Sequence, residues 1–327
     1  MRIVGLGGGI GAARLWRPLL GRVDPAEVTI VTNTGDDLWI HGLRVCPDLD
    51  TVLYALTGRQ DPERGWGLRG ETWRCMAALD DLGGRTWFNL GDADLATHLF
   101  RTGELRSGRA LSEVTAALGA ALGLRARLLP MTDDEVETHV LTEAGEFHYQ
   151  EFYIPRGATD TVRSVCYRGA EESRPAPGVL AAIADAELVV LGPSNPLASL
   201  GPILAVPGIR AALSDSPATV VGVTPIVSGT PITDPGEARR AASRAALLAG
   251  VGLPHTATSA ASLLCDVLDV FVLDTADAEQ AEAVAATGVR VVVADTLPAG
   301  SGHSADLVDV VLQAGAVATG QGTEGDR

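Results

Sequence analysis

Val28 to Leu56 reads VTIVTNTGDDLWIHGLRVCPDLDTVLYAL, and the rest of the chain is organised around this stretch. Its β-branched opening, Val28 to Thr32, predicts a buried strand that ends at a turn beginning with Asn33. An acidic group just past the carboxyl end of a strand is placed to bind a hard divalent cation or to position a hydroxyl. Four such carboxylates follow within fifteen residues: Asp36, Asp37, Asp48 and Asp50.

The same stretch also has a purely structural interpretation. Asp48 is placed to cap a helix that begins at Leu49, and a charged loop before a helix needs no ligand. A fully solvated loop, however, would not carry Trp39 and Ile40 among its acids, and we expect these two side chains to pack. Both interpretations stay open, and the spacing favours a functional site.

Arg2 to Leu6 predicts the first strand of a β-α-β unit, and a helix begins near Ala12. The loop between them contains Gly8, Gly9 and Gly11, which let the backbone approach a phosphate at the helix N-terminus. Arg14 lies one turn into the helix, within reach of such a phosphate. A tight turn without a ligand would explain the glycines equally, since GLGGGIG matches the dinucleotide-binding pattern only loosely.

A second candidate ligand loop follows the apolar run Glu187 to Leu191, which predicts a buried strand. The loop reads GPSNP and offers the side chains of Ser194 and Asn195 with free backbone N–H groups at the carboxyl end of that strand. A third acidic turn includes Asp92 and Asp94, which either contact a ligand or cap the following helix.

The composition limits the classes of function. A formal net charge of -16 over 327 residues opposes binding to nucleic acid or to anionic membranes, although it does not exclude a local cationic pocket. The four cysteines form no CxxC pair and predict reduced, mostly buried thiols. We see no signal peptide and no apolar run that would span a bilayer, and we therefore expect a cytoplasmic protein.

The order of predicted elements gives an α/β fold: a Rossmann-like parallel sheet with helices on both faces and a mainly helical insertion or cap with a small β-hairpin. Residues 1–48 and 176–315 would form the two parts of the Rossmann-like core. Residues 49–175 would cover the acceptor site, and residues 316–327 would be a disordered tail.

Several motifs, taken together and in order, resemble one family. They are GLGGGIGAARL, NTGDDLWIHGLRVCPDLDTVLY, DPERGWG with ETW, LGDADLATHL, LLPMTDDEVETHV, GPSNPLASLGPILAVPGIR and DVFVLDTAD. The chain is similar to the 2-phospho-L-lactate transferase and phosphoenolpyruvyl transferase family of coenzyme F-420 biosynthesis, from about Met1 to Leu297. The long acidic block and the GPSNP block are the specific motifs.

The resemblance implies a reaction. A phospholactyl or phosphoenolpyruvyl group would move from a guanosine-diphospho donor to the deazaflavin Fo, and GMP would leave. Mg²⁺ would neutralise the diphosphate, and a homodimer is expected. Trp39, Trp66 or Trp73 would stack on the deazaflavin ring.

The resemblance and the residue chemistry together give a set of expected site residues. We expect Asp48 and Asp50 to be catalytic, and Asp37, Asp48 and Asp50 to hold the metal. The expected ligand-binding residues are Gly8, Gly9, Gly11, Arg14, Asn33, Asp36, Arg74, Ser194 and Asn195. His41 and His98 are interpreted as structural.

Three departures from the family pattern concern the donor. Ala93 stands where the family usually has an arginine, Thr230 where bacterial members often have a lysine, and residues 233–236 lack a G-P-A motif. Two rival functions remain. One is a sugar-nucleotide-binding regulator of the same superfamily. The other is an NAD(P) oxidoreductase, but this sequence lacks a Ser-Tyr-Lys set and a clear acid to bind a ribose.

Overall fold

Seven parallel strands form the central sheet of the computed structural model, which describes residues 1–297 and 305–318. Two small antiparallel sheets, β3-β4 and β7-β6-β8, lie beside it, and the central order is β12-β11-β10-β9-β1-β2-β5. The strands are β1 (Ile3–Leu6), β2 (Val28–Thr32), β3 (Leu38–Ile40), β4 (Leu43–Val45), β5 (Arg127–Pro130), β6 (Glu137–Thr142), β7 (Gly145–His148), β8 (Val162–Arg168), β9 (Leu188–Leu191), β10 (Thr219–Val223), β11 (Val270–Asp274) and β12 (Arg290–Ala294).

Helices cover both faces of the central sheet. They are α1 (Gly9–Leu19), α2 (Pro47–Leu56), α3 (Arg74–Asp81), α4 (Asp94–Arg106), α5 (Leu111–Leu122), α6 (Tyr149–Tyr153), α7 (Val179–Asp185), α8 (Gly201–Ala205), α9 (Ile209–Ser214), α10 (Pro235–Gly250), α11 (Ala257–Ser262), α12 (Ala281–Ala285) and α13 (Ala305–Ala318). Two 3₁₀ turns, Pro25–Glu27 and Thr275–Gln280, and a π turn, Pro196–Leu200, complete the described elements.

The alternation of side chains along β1 explains why both faces need helices. Ile3 belongs to the core formed with α1, α2, α5 and α13, whereas Val4 belongs to the core formed with α7 to α12. Successive side chains of a strand point to opposite faces, so a strand that is apolar at every position must be covered on both. This confirms the predicted parallel α/β fold.

The predicted insertion, residues 49–175, does not lie wholly outside the central sheet. β5 falls within it and pairs in parallel with β2, Thr29 opposite Arg127 and Thr32 opposite Pro130. The hairpin predicted around residues 143–145 is confirmed as β6 and β7. The division into domains stays a prediction, as does the homodimer.

Several local expectations need correction. Helix α2 begins at Pro47 with Cys46 at its N-cap, so Asp48 lies inside the first turn and does not cap it. Trp39 does not pack: its side chain is 48% exposed on the short β3-β4 hairpin, which the sequence did not reveal. Residues 316–318 belong to helix α13, and the rest of the predicted tail lies outside the described residues.

All four cysteines are free, but the prediction that most are buried is wrong. Cys46 is buried, Cys265 is half-buried, and Cys75 and Cys166 are exposed. Within residues 1–297 and 305–318, no helix combines the length and the apolar character needed to cross a membrane.

Gly5 in the central strand β1 supplies a test of this packing. A Cβ at Gly5 would lie 2.8 Å from Ile30 Cδ1 and 2.9 Å from Cη2 of the fully buried Trp16. We expect Gly5→Ala to lower the free energy of unfolding by about 1–3 kcal/mol, because the core must shift to admit the methyl group. Chemical denaturation measures this change.

Gly103→Ala is the matched control. Gly103 is exposed within α4 with open space around it, so the same substitution should be neutral or stabilising by up to about 1 kcal/mol. Equal stabilities of the Gly5→Ala variant and the unmodified protein would contradict the packing described here.

Candidate active site

A cleft of about 890 Å³ lies at the carboxyl edge of the central sheet. The loops after β1, β2, β9 and β10 line it, together with helices α2, α4 and α10. From β1 the chain continues to β2 on one side, whereas β9 lies on the other. Open α/β sheets bind ligands at such a crevice, where the order of strands reverses.

The glycine loop and the loop after β9 hold each other. The Gly8 N–H donates to Ser194 Oγ over 3.2 Å, and that hydroxyl donates to the Gly8 carbonyl over 2.9 Å. A Cβ at Gly8 would overlap the Asp48 carboxylate, and one at Gly11 would overlap the Pro193 carbonyl. These glycines are therefore required by the protein's own close packing, whatever ligand the loop binds.

Most of the expected nucleotide-binding residues line this cleft. They are Gly8, Gly9, Gly11, Arg14, Asp36, Ser194 and Asn195. The side chain of Asn195 is also structural, because it accepts hydrogen bonds from the N–H groups of Leu197 and Ala198 and thereby caps the π turn.

Asn33 joins two buried carboxylates. Its Nδ2 donates to Asp36 Oδ1 over 2.8 Å and to Asp48 Oδ2 over 3.0 Å, and Gln150 Nε2 donates to Asp36 Oδ2 over 2.7 Å. Burial raises the pKa of Asp48 to about 6. Burial, reinforced by the charge of Asp48, raises the pKa of Asp36 well above its usual range. Amides thus partner these two acids, and no cationic side chain of the described residues forms an ion pair with either.

Asp50 is paired differently. The buried guanidinium of Arg101 donates to both Asp50 oxygens, with Nη1 at 3.1 Å from Oδ2. The same Nη1 lies 3.2 Å from His98 Nδ1. Because arginine only donates, Nδ1 must accept, and a neutral His98 carries its proton on Nε2, 3.4 Å from Asp94 Oδ2.

Asp50, Asp94 and His98 form a buried or half-buried group whose ligand atoms could hold a metal ion. Asp94 also accepts a hydrogen bond of 2.6 Å from Tyr54. Asp92, the other acid of that turn, instead accepts N–H bonds from Arg74 and Cys75 at the start of α3. Asp92 thus caps the preceding helix α3 and not the following helix α4, and a ligand contact of Asp94 stays a prediction.

Asp37 is buried but does not line the cleft. Neither of its carboxylate oxygens has a hydrogen-bond partner, and its nearest ion pair is with Arg44, at 3.7 Å. Burial raises the pKa of Asp37 to about 7. Asp37 therefore does not line the cleft with Asp48 and Asp50, and its role as a metal ligand stays a prediction.

Other expected ligand contacts lie elsewhere. Arg74 is exposed at the start of α3 and does not line the cleft. The Trp39 Nε1 donates to Glu135, so this ring is engaged away from the cleft, and Trp73 does not line it. Trp66 does line it, together with Trp87 and Phe88.

The sequence analysis missed several side chains of the cleft. These are Tyr54, Trp87, Phe88, His98, Arg239, Arg240 and Arg244. Asp94 and His98 stand four residues apart on α4, which places both on one helix face, and this spacing was the available signal. The arginines of α10 are not recognisable from spacing, since only the fold brings that helix to the glycine loop.

The chain is similar to known proteins in sequence and in fold. A "phosphoenolpyruvate transferase" from Kitasatospora aureofaciens is 47% identical over 296 residues, covering 88% of this chain and 90% of that protein. One from Mycobacterium tuberculosis is 46% identical over 252 residues, covering 71% and 76%. The crystal structure of a UPF0052 family protein from Bacillus halodurans shares the fold, with a TM-score of 0.62 at 19% identity over 95% of this chain and 98% of that one.

The family model for "2-phospho-L-lactate transferase CofD" matches residues 3–311, nearly the whole chain. The match includes all of the cleft-lining loops and helices described above. The chain belongs to the 2-phospho-L-lactate transferase (CofD) family and is a transferase of coenzyme F-420 biosynthesis.

Proposed function

We propose that this transferase moves a phosphoenolpyruvyl group from a guanosine-diphospho donor to the deazaflavin Fo and releases GMP. The observation that carries the proposal is the cleft, where a glycine loop and arginines stand against buried carboxylates. Relatives at 45 to 47% identity are named phosphoenolpyruvate transferases, and this favours the enolpyruvyl over the lactyl group.

Mg²⁺ fits the acids of the cleft. Asp48 is a carboxylate with only amide and hydroxyl partners, and its burial raises its pKa to about 6. Mg²⁺ prefers oxygen ligands and is commonly bound by one or two carboxylates together with substrate phosphates. We assign it to Asp48, with Asp50 or Asp94 beside it, where it would neutralise the charge of the diphosphate.

The chain's own residues would mainly position the substrates. The terminal ribityl hydroxyl of Fo attacks the phosphorus nearer the three-carbon acid, and a phosphodiester bond forms. The bond from that phosphorus to the GMP oxygen breaks, and the proton of the hydroxyl passes to solvent. GMP is a good leaving group, so in-line positioning matters more than a strong base. Both oxygens of Asp50 accept hydrogen bonds from Arg101, which favours a positioning role for Asp50 over proton transfer.

The acceptor wall is aromatic. Trp66, Trp87 and Phe88 line the cleft, and Trp87 and Phe88 pack edge to face with ring centroids 5.6 Å apart. Flat rings of this kind suit stacking against a deazaflavin. We therefore place Fo against this wall and the nucleotide against the glycine loop.

The choice of donor is tested directly. Purified protein, Fo and Mg²⁺ are incubated with the phosphoenolpyruvyl or the lactyl guanosine-diphospho donor, and the phosphodiester product is followed by mass. We expect at least a tenfold preference for the enolpyruvyl donor. A preference for the lactyl donor would overturn the assignment of the acid, and no product with either would overturn the proposed reaction.

Asp48→Asn tests the metal assignment. We expect it to remove the Mg²⁺-dependent rise in melting temperature and to slow transfer by about 100-fold or more, since metal charge stabilisation is worth several kcal/mol. Thermal melts with and without Mg²⁺ and the product assay measure the two effects.

Asp37→Asn is the control, because Asp37 is equally buried but lies outside the cleft. It should keep the Mg²⁺-dependent stabilisation. If Asp37→Asn removes it and Asp48→Asn does not, the assignment of the metal to Asp48 is wrong.

A further inference from the structure

Three arginines from two helices line the same cleft as the buried acids. Arg14 comes from α1, and Arg240 and Arg244 come from α10, which follows the loop after β10. We call these three residues the arginine group. The sequence contains no lysine, so all 25 of its Lys-plus-Arg cations are arginines, and the net charge is -16. Three arginines that line one cleft of so acidic a chain are a specific local feature.

Two members of the arginine group, Arg240 and Arg244, are held in place before any ligand arrives. Glu237 accepts from Arg240 Nε over 3.0 Å and from Arg244 Nη2 over 3.1 Å, so one carboxylate holds both guanidinium groups. Asp234 Oδ1 lies 3.5 Å from Arg240 Nη2 and caps α10 by accepting from the Glu237 N–H. Such fixed donors lose little entropy on binding an anion.

The acids nearby do not saturate the arginine group. Arg14 forms no hydrogen bond or ion pair among the described residues, and Arg244 Nε is buried without a hydrogen-bond partner. Burial, together with the positive charge of Arg240, lowers the pKa of Arg14. Cations that face one another in a cleft, with donors left unpaired, indicate a site for an anion.

We propose that the arginine group binds the phosphate of the nucleotide part of the donor and keeps hold of it as GMP when the bond breaks. The proposal rests on the proposed function and deepens it. Planar guanidinium groups match phosphate oxygens in pairs, and they stay charged at every working pH. The arginine group and the metal would then contact the phosphates of one donor within the same cleft.

Binding measurements without turnover test the proposal. Isothermal titration with GMP and with guanosine is carried out on the unmodified protein and on Arg240→Gln and Arg244→Gln. We expect GMP affinity to fall at least tenfold in each variant, while guanosine affinity changes less than twofold. Arg163→Gln is the control, because Arg163 lies on β8, does not line the cleft and forms a surface ion pair with Glu143. This substitution should leave both affinities unchanged.

A third variant distinguishes the loss of an arginine–phosphate contact from a general disturbance of this part of the structure. Glu237→Gln keeps both arginines but removes the carboxylate that fixes them, so GMP affinity should fall by less than in the arginine variants. Phosphoenolpyruvate is titrated as well. If the variants weaken phosphoenolpyruvate and leave GMP unchanged, the arginine group holds the acid end of the donor and the proposal is wrong.

The outcomes also separate this proposal from the proposed reaction. Unchanged GMP affinity in all three variants, with normal transfer by the unmodified protein, would overturn the arginine site alone. A specific loss of GMP affinity in a protein that transfers no group to Fo would support the arginine site and overturn the reaction.

Discussion

Four carboxylates are buried at one edge of the sheet, and the surrounding structure must stabilise them. Removing an ionised carboxylate from water is costly unless it is paired. The acids have different partners. Arg101 forms an ion pair with Asp50, Asn33 donates hydrogen bonds to both Asp36 and Asp48, and Asp37 has only the more distant Arg44. Asp36 and Asp48 both line the cleft without a cationic partner, and Asp48 also lies against the glycine loop at Gly8, which favours it as the place for a cation.

Both charge signs reach the cleft because several connections of the chain end at this edge of the sheet. The acids come from the loop after β2 and from α2, whereas the cations come from α1, which packs against α2, and from α10. A donor with a diphosphate between a nucleotide and a small acid fits such a cleft, because its phosphates can meet a bound cation on one side and fixed guanidinium groups on the other. Little further acid-base chemistry is required of the protein.

The sequence was most informative where local patterns decide structure. Continuous apolar runs such as Leu188–Leu191 predicted the buried parallel strands, and the glycine loop and Asp48 were placed correctly at their carboxyl ends. It was least informative where distant segments meet. Nothing local to Arg101 reveals Asp50 as its partner, fifty-one residues away. Asp37 and Asp36 are sequence neighbours, yet only Asp36 lines the cleft, because the turn directs adjacent side chains differently.

The structure explains two of the departures from the family pattern, those at Ala93 and Thr230. Ala93 is the N-cap residue of α4, where its N–H donates to Glu71 over 2.9 Å, so this position serves the helix start that presents Asp94. Thr230 lines the cleft close in sequence to α10, and a lysine there would add a mobile cation. In a chain without lysine, the arginines that Glu237 fixes supply charge to the same cleft. The missing lysine is thus consistent with retained transfer, because rigid guanidinium groups bind phosphate with better defined geometry than a flexible ammonium does.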